Sequence, residues 1–561
     1  MLGERRVRPA TADGTDDEAN GVPSARRPRS LPALGGRLRG LAPPPGSAWR
    51  DPVIWSIAAL SLGAYFVISL YRLLTLTPAA FDMGVFTEFM KQLSQLHAPV
   101  VDLKAPGFNL EGDHFQVAIG VIAPFFRLFP TPATLLFFQA LFTAVSVFPV
   151  AQVAFQLTGR STGRLIGFAY AFSWGLQQMI DQDFHELALA VPLLAFSVSA
   201  LVRRRPAATI AWAMPLVFVK EDQGFTLAAI GALLVATAVF PSLLPASPVV
   251  PARPASTDRT GPEDYRYAAL WGGVFLIGWG LFWSMFAITV IIPHFNPNHV
   301  YPYWAQAGGG PAGNPESASA LFASIDTAWP TKLTTVVMLL LPTAFTALGS
   351  PVVLLAIPSL VLRFISTAWA YWGTEWHYDA PVMPILFIAA AEAIGRWQYC
   401  PPLASARSGP LRVLGPLRGL ARVARTGAAR HGGAMMAAVA VALAFQFPLS
   451  DLWHGSTYTI DAHVAAADAA MAVVPDGVTV TTTLDLLAPL AARTDTFWIT
   501  SSGSVVTQYV VLDTLDKGDN PPMTNVQAFM ASRFKGDGYV QVFARDGVYV
   551  YRAVGANSGR G

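Results

Sequence analysis

Charge is scarce in this sequence. Asp, Glu, Lys and Arg make up 13% of its 561 residues, about half the share of a soluble domain. Hydrophobic residues make up 53%, and the mean hydropathy is +0.43. That balance excludes an ordinary water-soluble enzyme and predicts a membrane protein. The net charge of +3 is too small to argue for a nucleic-acid partner. A single cysteine, Cys400, excludes an internal disulfide framework and any multi-cysteine metal site. GxxxxGK[ST], the Rossmann glycine fingerprint and HExxH are missing, so ATP-driven pumping, dinucleotide chemistry and zinc proteolysis lack their usual supports. Gly308-Gly309-Gly310 has no strand before it and no lysine after it, and reads as a flexible loop. Residues 1–50, rich in Arg, Pro, Gly, Ser and Asp, hold no apolar run before a cleavage site, and are expected to be a disordered cytoplasmic tail.

Long apolar runs are abundant. They occur at about 52–74, 133–157, 163–181, 186–202, 206–220, 224–243, 268–292, 332–348, 350–365, 380–398 and 432–449, many near the roughly 20 residues that cross a bilayer. The expected fold is therefore an α-helical polytopic membrane domain over 51–449, with about 11 transmembrane helices. A further apolar piece at 114–130 carries Pro124 and Arg127. If it does not span, Arg160 and Arg164, Arg203 to Arg205, the 244–267 loop and the 399–431 loop all fall on the cytoplasmic side. Short cytoplasmic loops retain Lys and Arg, so 114–130 is placed as an amphipathic helix on the outer interface, within a long first external loop at 75–132. Localisation in a plasma membrane follows, with the N-terminus cytoplasmic. After residue 449 the pattern changes. VTVTTT, TFWIT and TQYVVLD suit strands, LDLLAPLAAR and MTNVQAFMASRF suit helices, and Asp546-Gly547 marks a hairpin. Residues 450–561 are expected to form a small extracytoplasmic α/β domain.

This topology gathers the unusual chemistry on one face. FDMGVFTEFM places Asp82 and Glu88 just after the first span. Six residues apart on a helix, they need not act together. A carboxylate at a membrane exit can take a proton from a hydroxyl or bind a metal; an Asp capping the following helix would look the same. Asp113 and His114 follow in the same loop. Asp181 to Glu186, DQDFHE, has the donor density to hold Mg²⁺, Mn²⁺ or Zn²⁺ through Asp183, His185 and Glu186, although a solvated turn also fits. Lys220, Glu221 and Asp222 sit between two apolar runs, where ionisable groups are expensive and are usually functional or mutually paired. Lys220 suits a phosphate, and so does Arg363, for which snorkelling is the plainer account. His377 and Asp379 lie in EWHYD among aromatics that an interfacial belt explains, while the His and Asp are not so explained.

Several of these blocks occur in the order of a bacterial membrane family, domain of unknown function 2079, which the chain resembles. They are FDMGVFTEF, GDHF at 112–115, LLFFQALFTAVSVFPVA, DFHE, KEDQG and HYDAPVMPILFIAAAEA, with VVPDGVTVTTTLDLLAPLAAR and YVVLD extending into the last domain. That family is similar in outline to GT-C membrane glycosyltransferases. What the resemblance implies is an enzyme that moves a sugar from a polyprenyl-phosphate donor to a cell-envelope acceptor outside the membrane. Asp82 would serve as general base. Glu88, Asp113, His114, Lys220, Glu221, Asp222, Arg363, His377 and Asp379 would bind substrate, and a divalent cation, Mg²⁺ or Mn²⁺, would sit at Asp183, His185 and Glu186. Two other classes stay open at this stage. A transporter or flippase would also place charge near the membrane, and a non-catalytic scaffold or sensor would leave these motifs as separate solvated turns.

Overall fold

The computed structural model describes residues 47–77, 81–244, 262–307, 327–399, 415–503, 505–516, 523–534 and 538–555. Most of the expected N-terminal tail, Gly308 to Gly310, Cys400 and large parts of the two basic loops lie outside the described residues. The last residues assigned to that tail are packed: Ala48 is fully buried, and Ser47 Oγ and Ala48 N both donate to Gln152 Oε1, at 2.7 and 2.9 Å. Asp51 then caps helix α1 (Pro52–Leu74) by accepting from Val53 N, with Pro52 in the first turn where its missing N–H costs nothing. The tail's expected boundary is therefore a few residues too late.

The chain is mostly helical. α1, α2 (Phe81–Ser94), α3 (Pro132–Thr158), α4 (Leu187–Val202), α5 (Gln223–Val239), α6 (Pro262–Phe286), α7 (Ile357–Ile365) and α8 (Val382–Tyr399) carry or support the site described below. Among the described residues four helices are long and apolar enough to cross a membrane: Pro52–Leu74, Pro132–Thr158, Glu263–Phe295 and His377–Gln398. Proline accounts for much of the difference from the expected count, because it removes a backbone donor and clashes with the preceding turn. The 206–220 run turns into a 3₁₀ segment at Met214–Phe218 with Pro215 near its start; the 332–348 run breaks after Leu340 at Pro342; the 350–365 run begins as 3₁₀ at Pro351–Ala356 and becomes α7 at Ile357. The 163–181 run is divided between Arg160–Ala171 and Trp174–Asp181. Residues 114–130 form two short segments, Val117–Ile122 and Ala123–Leu128, which bury Ile119, Ile122 and Phe126 and expose Val121, Phe125, Leu128 and Phe129.

α5 and α6 approach through glycines. A Cβ on Gly231 would lie 2.6 Å from Gly273 O, and one on Gly224 would lie 2.3 Å from Gly280 O. Both contacts are to backbone, so no side-chain rearrangement relieves them. This close approach holds the start of α5, where Lys220 to Asp222 sit. Gly231→Leu should lower the thermal unfolding midpoint of the detergent-solubilised protein, with a cost of about 1–3 kcal/mol or more from overpacking. An unchanged midpoint would mean that the seam is not tight.

The C-terminal domain has a five-stranded sheet in the order β2-β1-β3-β5-β4, with β1 (Thr479–Thr482), β2 (Asp495–Trp498), β3 (Tyr509–Asp513), β4 (Tyr539–Arg545) and β5 (Val548–Ala553). β2, β1 and β3 are parallel, while β5 runs antiparallel to β3 and β4. Asp546 and Gly547 both have positive φ, 46° and 84°, the type I′ geometry that a two-residue hairpin favours. α9 (Ala462–Val473) and α10 (Leu487–Ala491) contribute to one hydrophobic cluster with the sheet, and α11 (Val526–Arg533) to another. The strands and the two helices expected from the sequence are observed, and α9 is a further helix that was not among them. α10 also packs on α2, where a Cβ on Gly84 would come within 2.9 Å of Leu487 Cβ. Lys91 Nζ donates to Thr494 O at 2.6 Å, and Ser501 Oγ to Leu103 O at 2.6 Å. The 81–132 segment and the C-terminal domain are thus joined along the helix that carries Asp82.

Candidate functional site

Asp82 lies in the first turn of α2 with its side chain 45% exposed. Its Oδ2 stands 3.5 Å from His185 Nε2, and His185 Nδ1 stands 3.7 Å from Glu186 Oε2. Glu186 Oε1 accepts from Lys220 Nζ at 2.8 Å. An exposed carboxylate is thereby connected through an imidazole and a buried carboxylate to a buried ammonium. Local structure fixes this row. Asp183 adopts a left-handed φ of 58° that turns the chain between Trp174–Asp181 and α4, and buried Gln139 of α3 clamps the turn. The Gln139 Oε1 accepts from His185 N at 3.0 Å, and its Nε2 donates to Met179 O at 3.2 Å and to Asp183 O. His377, in a 3₁₀ turn before α8, stacks on His185 with ring centroids 3.4 Å apart.

Lys220 opens onto a cavity of about 260 Å³, lined also by His114, Glu221, Asp222, Tyr301, Tyr303, Arg363, Tyr371 and Tyr378. Asp82 is not part of this lining. Arg363, near the end of α7, donates to Asp379 Oδ1 at 2.6 Å, to Tyr371 O at 2.9 Å and to Gly373 O at 2.9 Å, and is buried. The expected alternative of a snorkelling arginine does not describe it. Glu221 Oε1 accepts from Tyr301 OH at 3.0 Å and meets His114 Nδ1 at 2.8 Å, while Phe115 N donates to Oε2 at 3.2 Å. Burial pushes the Glu221 carboxyl upward, but His114 and Lys220 together hold it below its ordinary value. Asp222 is pushed up by burial, which Lys220 only partly offsets. Asp113 accepts from Tyr303 OH at 3.1 Å and pairs with Lys104; burial raises its pKa, and His114 and Lys104 bring it below normal. Gly112 makes this placement possible, since a Cβ there would lie 2.7 Å from Asn296 N. His114 then stacks on Tyr303 at 4.4 Å.

The structure separates two of the expected site residues, Glu88 and Asp183, from this group. Glu88 is buried beneath the loop that follows α2 and accepts from Leu103 N at 3.1 Å, away from the cavity lining. Burial raises its pKa from 4.5 to about 8. An acid held above its unfolded value keeps its proton in the fold, so its contribution to stability is complete below about pH 4.5 and is lost as pH rises through 8. Glu88→Gln should flatten that part of the pH–stability curve and raise the unfolding midpoint at pH 8.5 more than at pH 5. Asp183 lines a separate small cavity with Arg72 and Asp485. The cation set Asp183, His185 and Glu186 does not close, because Glu186 is taken by Lys220 and Asp183 faces elsewhere. Among the described residues, the side chains whose ligand atoms converge are His463, Asp485 and Asp513 of the C-terminal domain.

Sequence reasoning passed over Gln139 and the tyrosines. Tyr301 and Tyr303 belong to HVYPYW, a stretch with no Asp, Glu, Lys or Arg to mark it. The alternation of Tyr with Pro between two described helices was the available signal. Tyr371 and Tyr378 were absorbed into an aromatic belt, yet they stack on one another at 4.5 Å and line the cavity.

A family model described as "Predicted membrane protein (DUF2079)" matches residues 72–550. No curated protein matches the chain. Among solved structures, the chain is similar to ArnT from Cupriavidus metallidurans bound to undecaprenyl phosphate, with a TM-score of 0.51 and 15% identity, covering 91% of this chain and 99% of that one. The apo state of ArnT gives a TM-score of 0.45 at 14% identity, with the same coverage. An oligosaccharyltransferase from Archaeoglobus fulgidus, in complex with Zn and sulfate, gives 0.33 at 13%, covering 88% of this chain and 73% of that one. The first likeness shows a shared fold, that of the GT-C glycosyltransferases.

Proposed function

The chain belongs to the DUF2079 family of predicted membrane proteins, and on that footing we propose that it is an integral-membrane glycosyltransferase moving a sugar from a polyprenyl-phosphate donor to an extracytoplasmic acceptor. The observation that carries this reading is the row from exposed Asp82 through His185 and Glu186 to Lys220, ending on a cavity that also holds Arg363. Asp82 Oδ2 takes the proton of an acceptor hydroxyl, and that oxygen attacks the anomeric carbon. The bond from that carbon to the lipid phosphate breaks, and the phosphate leaves with the electron pair. Lys220 and Arg363 offset the charge that develops on it, the kind of stabilisation that usually dominates such steps. No ATP is consumed, because the donor is already activated.

Supporting this donor class, the neighbour of shared fold is a structure with undecaprenyl phosphate bound. The site lies on the outer side, in the orientation that gathers Lys and Arg in the cytoplasm, and the broken apolar runs complete a count of about eleven spans. The residues at Asp183, His185 and Glu186 do not fit a resident Mg²⁺ or Mn²⁺, and no step runs through one. Proteoliposomes given a labelled polyprenyl-phosphate sugar and an extract of cell-envelope acceptors, without ATP, test the reading. Label covalently joined to acceptor supports it; label that only crosses the bilayer unchanged assigns the protein to the transporters instead.

A further inference from the structure

His463, Asp485 and Asp513 come from three different elements: the start of α9, the turn before α10 and the end of β3. One ligand atom from each lies within 4.8 Å of the other two. Each ligand is oriented from outside the trio. His463 Nδ1 stands 2.7 Å from the backbone oxygen of Asp546 and donates a hydrogen bond to it. In the neutral ring this leaves Nε2 as a lone pair, and Nε2 faces Asp513 Oδ2 at 2.7 Å. Two acceptors at that distance need a cation or a proton between them. A backbone carbonyl on the far nitrogen is also how metal-bound histidines are commonly fixed. Leu515 N donates to Asp513 Oδ1 at 2.8 Å, leaving Oδ2 to point at the imidazole. Thr483 Oγ1 donates to Asp485 Oδ1 at 3.2 Å.

The electrostatics point the same way. Asp485 and Asp513 are both buried, and among the described residues neither pairs with a Lys or Arg. Two adjacent buried carboxylates are costly unless a positive charge joins them. A central ion at roughly 2.0–2.2 Å from each donor in tetrahedral geometry requires the His–Asp contact to open by roughly 0.6–0.9 Å, a shift within reach of side-chain rotation. One imidazole and two carboxylates, with the partly exposed His463 leaving room for water, suit Zn²⁺ or Mn²⁺.

We propose that His463, Asp485 and Asp513 form a divalent-cation site in the C-terminal domain, and that an ion there fixes the 484–491 segment against the helix that carries Asp82. The second part follows from placement. Asp485 lies just before α10, which packs on α2 through Leu487 and Gly84. Ordering that turn steadies the surface on which α2 rests. The site itself is independent of the transferase reading; only the meaning of steadying Asp82 rests on it.

The test uses the full chain in detergent, stripped with chelator and titrated with Zn²⁺ and, separately, Mn²⁺. Bound metal is counted after gel filtration, and the thermal unfolding midpoint is followed. The wild type should retain one ion of at least one metal per chain and gain in midpoint as that cation rises. Asp485→Asn removes a like charge and keeps the shape, so its metal-free midpoint should equal or exceed that of the wild type while retention and the metal-induced gain are lost. His463→Ala should lose them too, and Asp183→Asn should keep both. Hydrogen exchange across 81–94 and 481–494 should slow on adding metal to the wild type alone. Retention by Asp485→Asn equal to the wild type, or no retention by the wild type, overturns the site. Retention without slower exchange over 81–94 overturns the link to the Asp82 helix and leaves the site standing.

Discussion

Asp82→Asn is expected to lower sugar transfer by about 10²–10⁴-fold, the usual contribution of a positioned general base. The substitution keeps size and hydrogen-bonding shape but removes the group that accepts the acceptor's proton. Because the Asp82 side chain is partly exposed and stands a long 3.5 Å from His185 Nε2, little folding energy is tied to it. Expression and unfolding midpoint should therefore match the wild type, and donor binding should be retained. The loss should appear in turnover rather than in the donor concentration giving half-maximal rate. Normal turnover in Asp82→Asn would remove Asp82 from the chemistry.

Lys220→Met is expected to act on both folding and transfer. Lys220 is the partner of Glu186, and both are buried. Removing one member of such a pair leaves a charge without compensation and costs about 3–5 kcal/mol. The single variant should unfold at a clearly lower temperature. Adding Glu186→Gln removes the stranded charge, so Lys220→Met with Glu186→Gln should recover most of the midpoint. Transfer should not recover with it, because the phosphate has lost one of its two cations. Recovery of transfer together with the fold would make Lys220 a structural partner only. A loss confined to folding and a loss confined to transfer are thus read separately in one pair of variants.

The legible parts of this molecule were those written in short-range pattern. Alternating apolar positions around Asp546-Gly547 specify a hairpin, because only residues tolerant of positive φ make that turn. Grouping of charge at DQDFHE, KEDQG and HYD pointed to much of the site, since buried ionisable groups are rarely tolerated without a role or a partner. Pairing was harder to read. Glu186 and Lys220 lie 34 positions apart and Glu221 and His114 lie 107 apart, so no local pattern says which charge neutralises which. For that reason Glu186 was expected at a metal when its partner is an ammonium. Glu88 was misplaced for a related cause: its helical spacing from Asp82 shows only that the two diverge, and burial under the loop depends on contacts with residues such as Leu103. Hydropathy also sums over prolines such as Pro215 and Pro342, where the backbone leaves α-helical geometry, so runs that read as continuous are broken helices. His463, Asp485 and Asp513 were invisible because a parallel sheet brings together residues from distant segments.

The most direct measurement is a structure of the protein with a polyprenyl-phosphate sugar bound. The account predicts the phosphate in the cavity against Lys220 and Arg363, with the anomeric carbon turned toward Asp82 and His185. A donor seated elsewhere, or a phosphate in the cavity with its sugar directed away from Asp82, would contradict it.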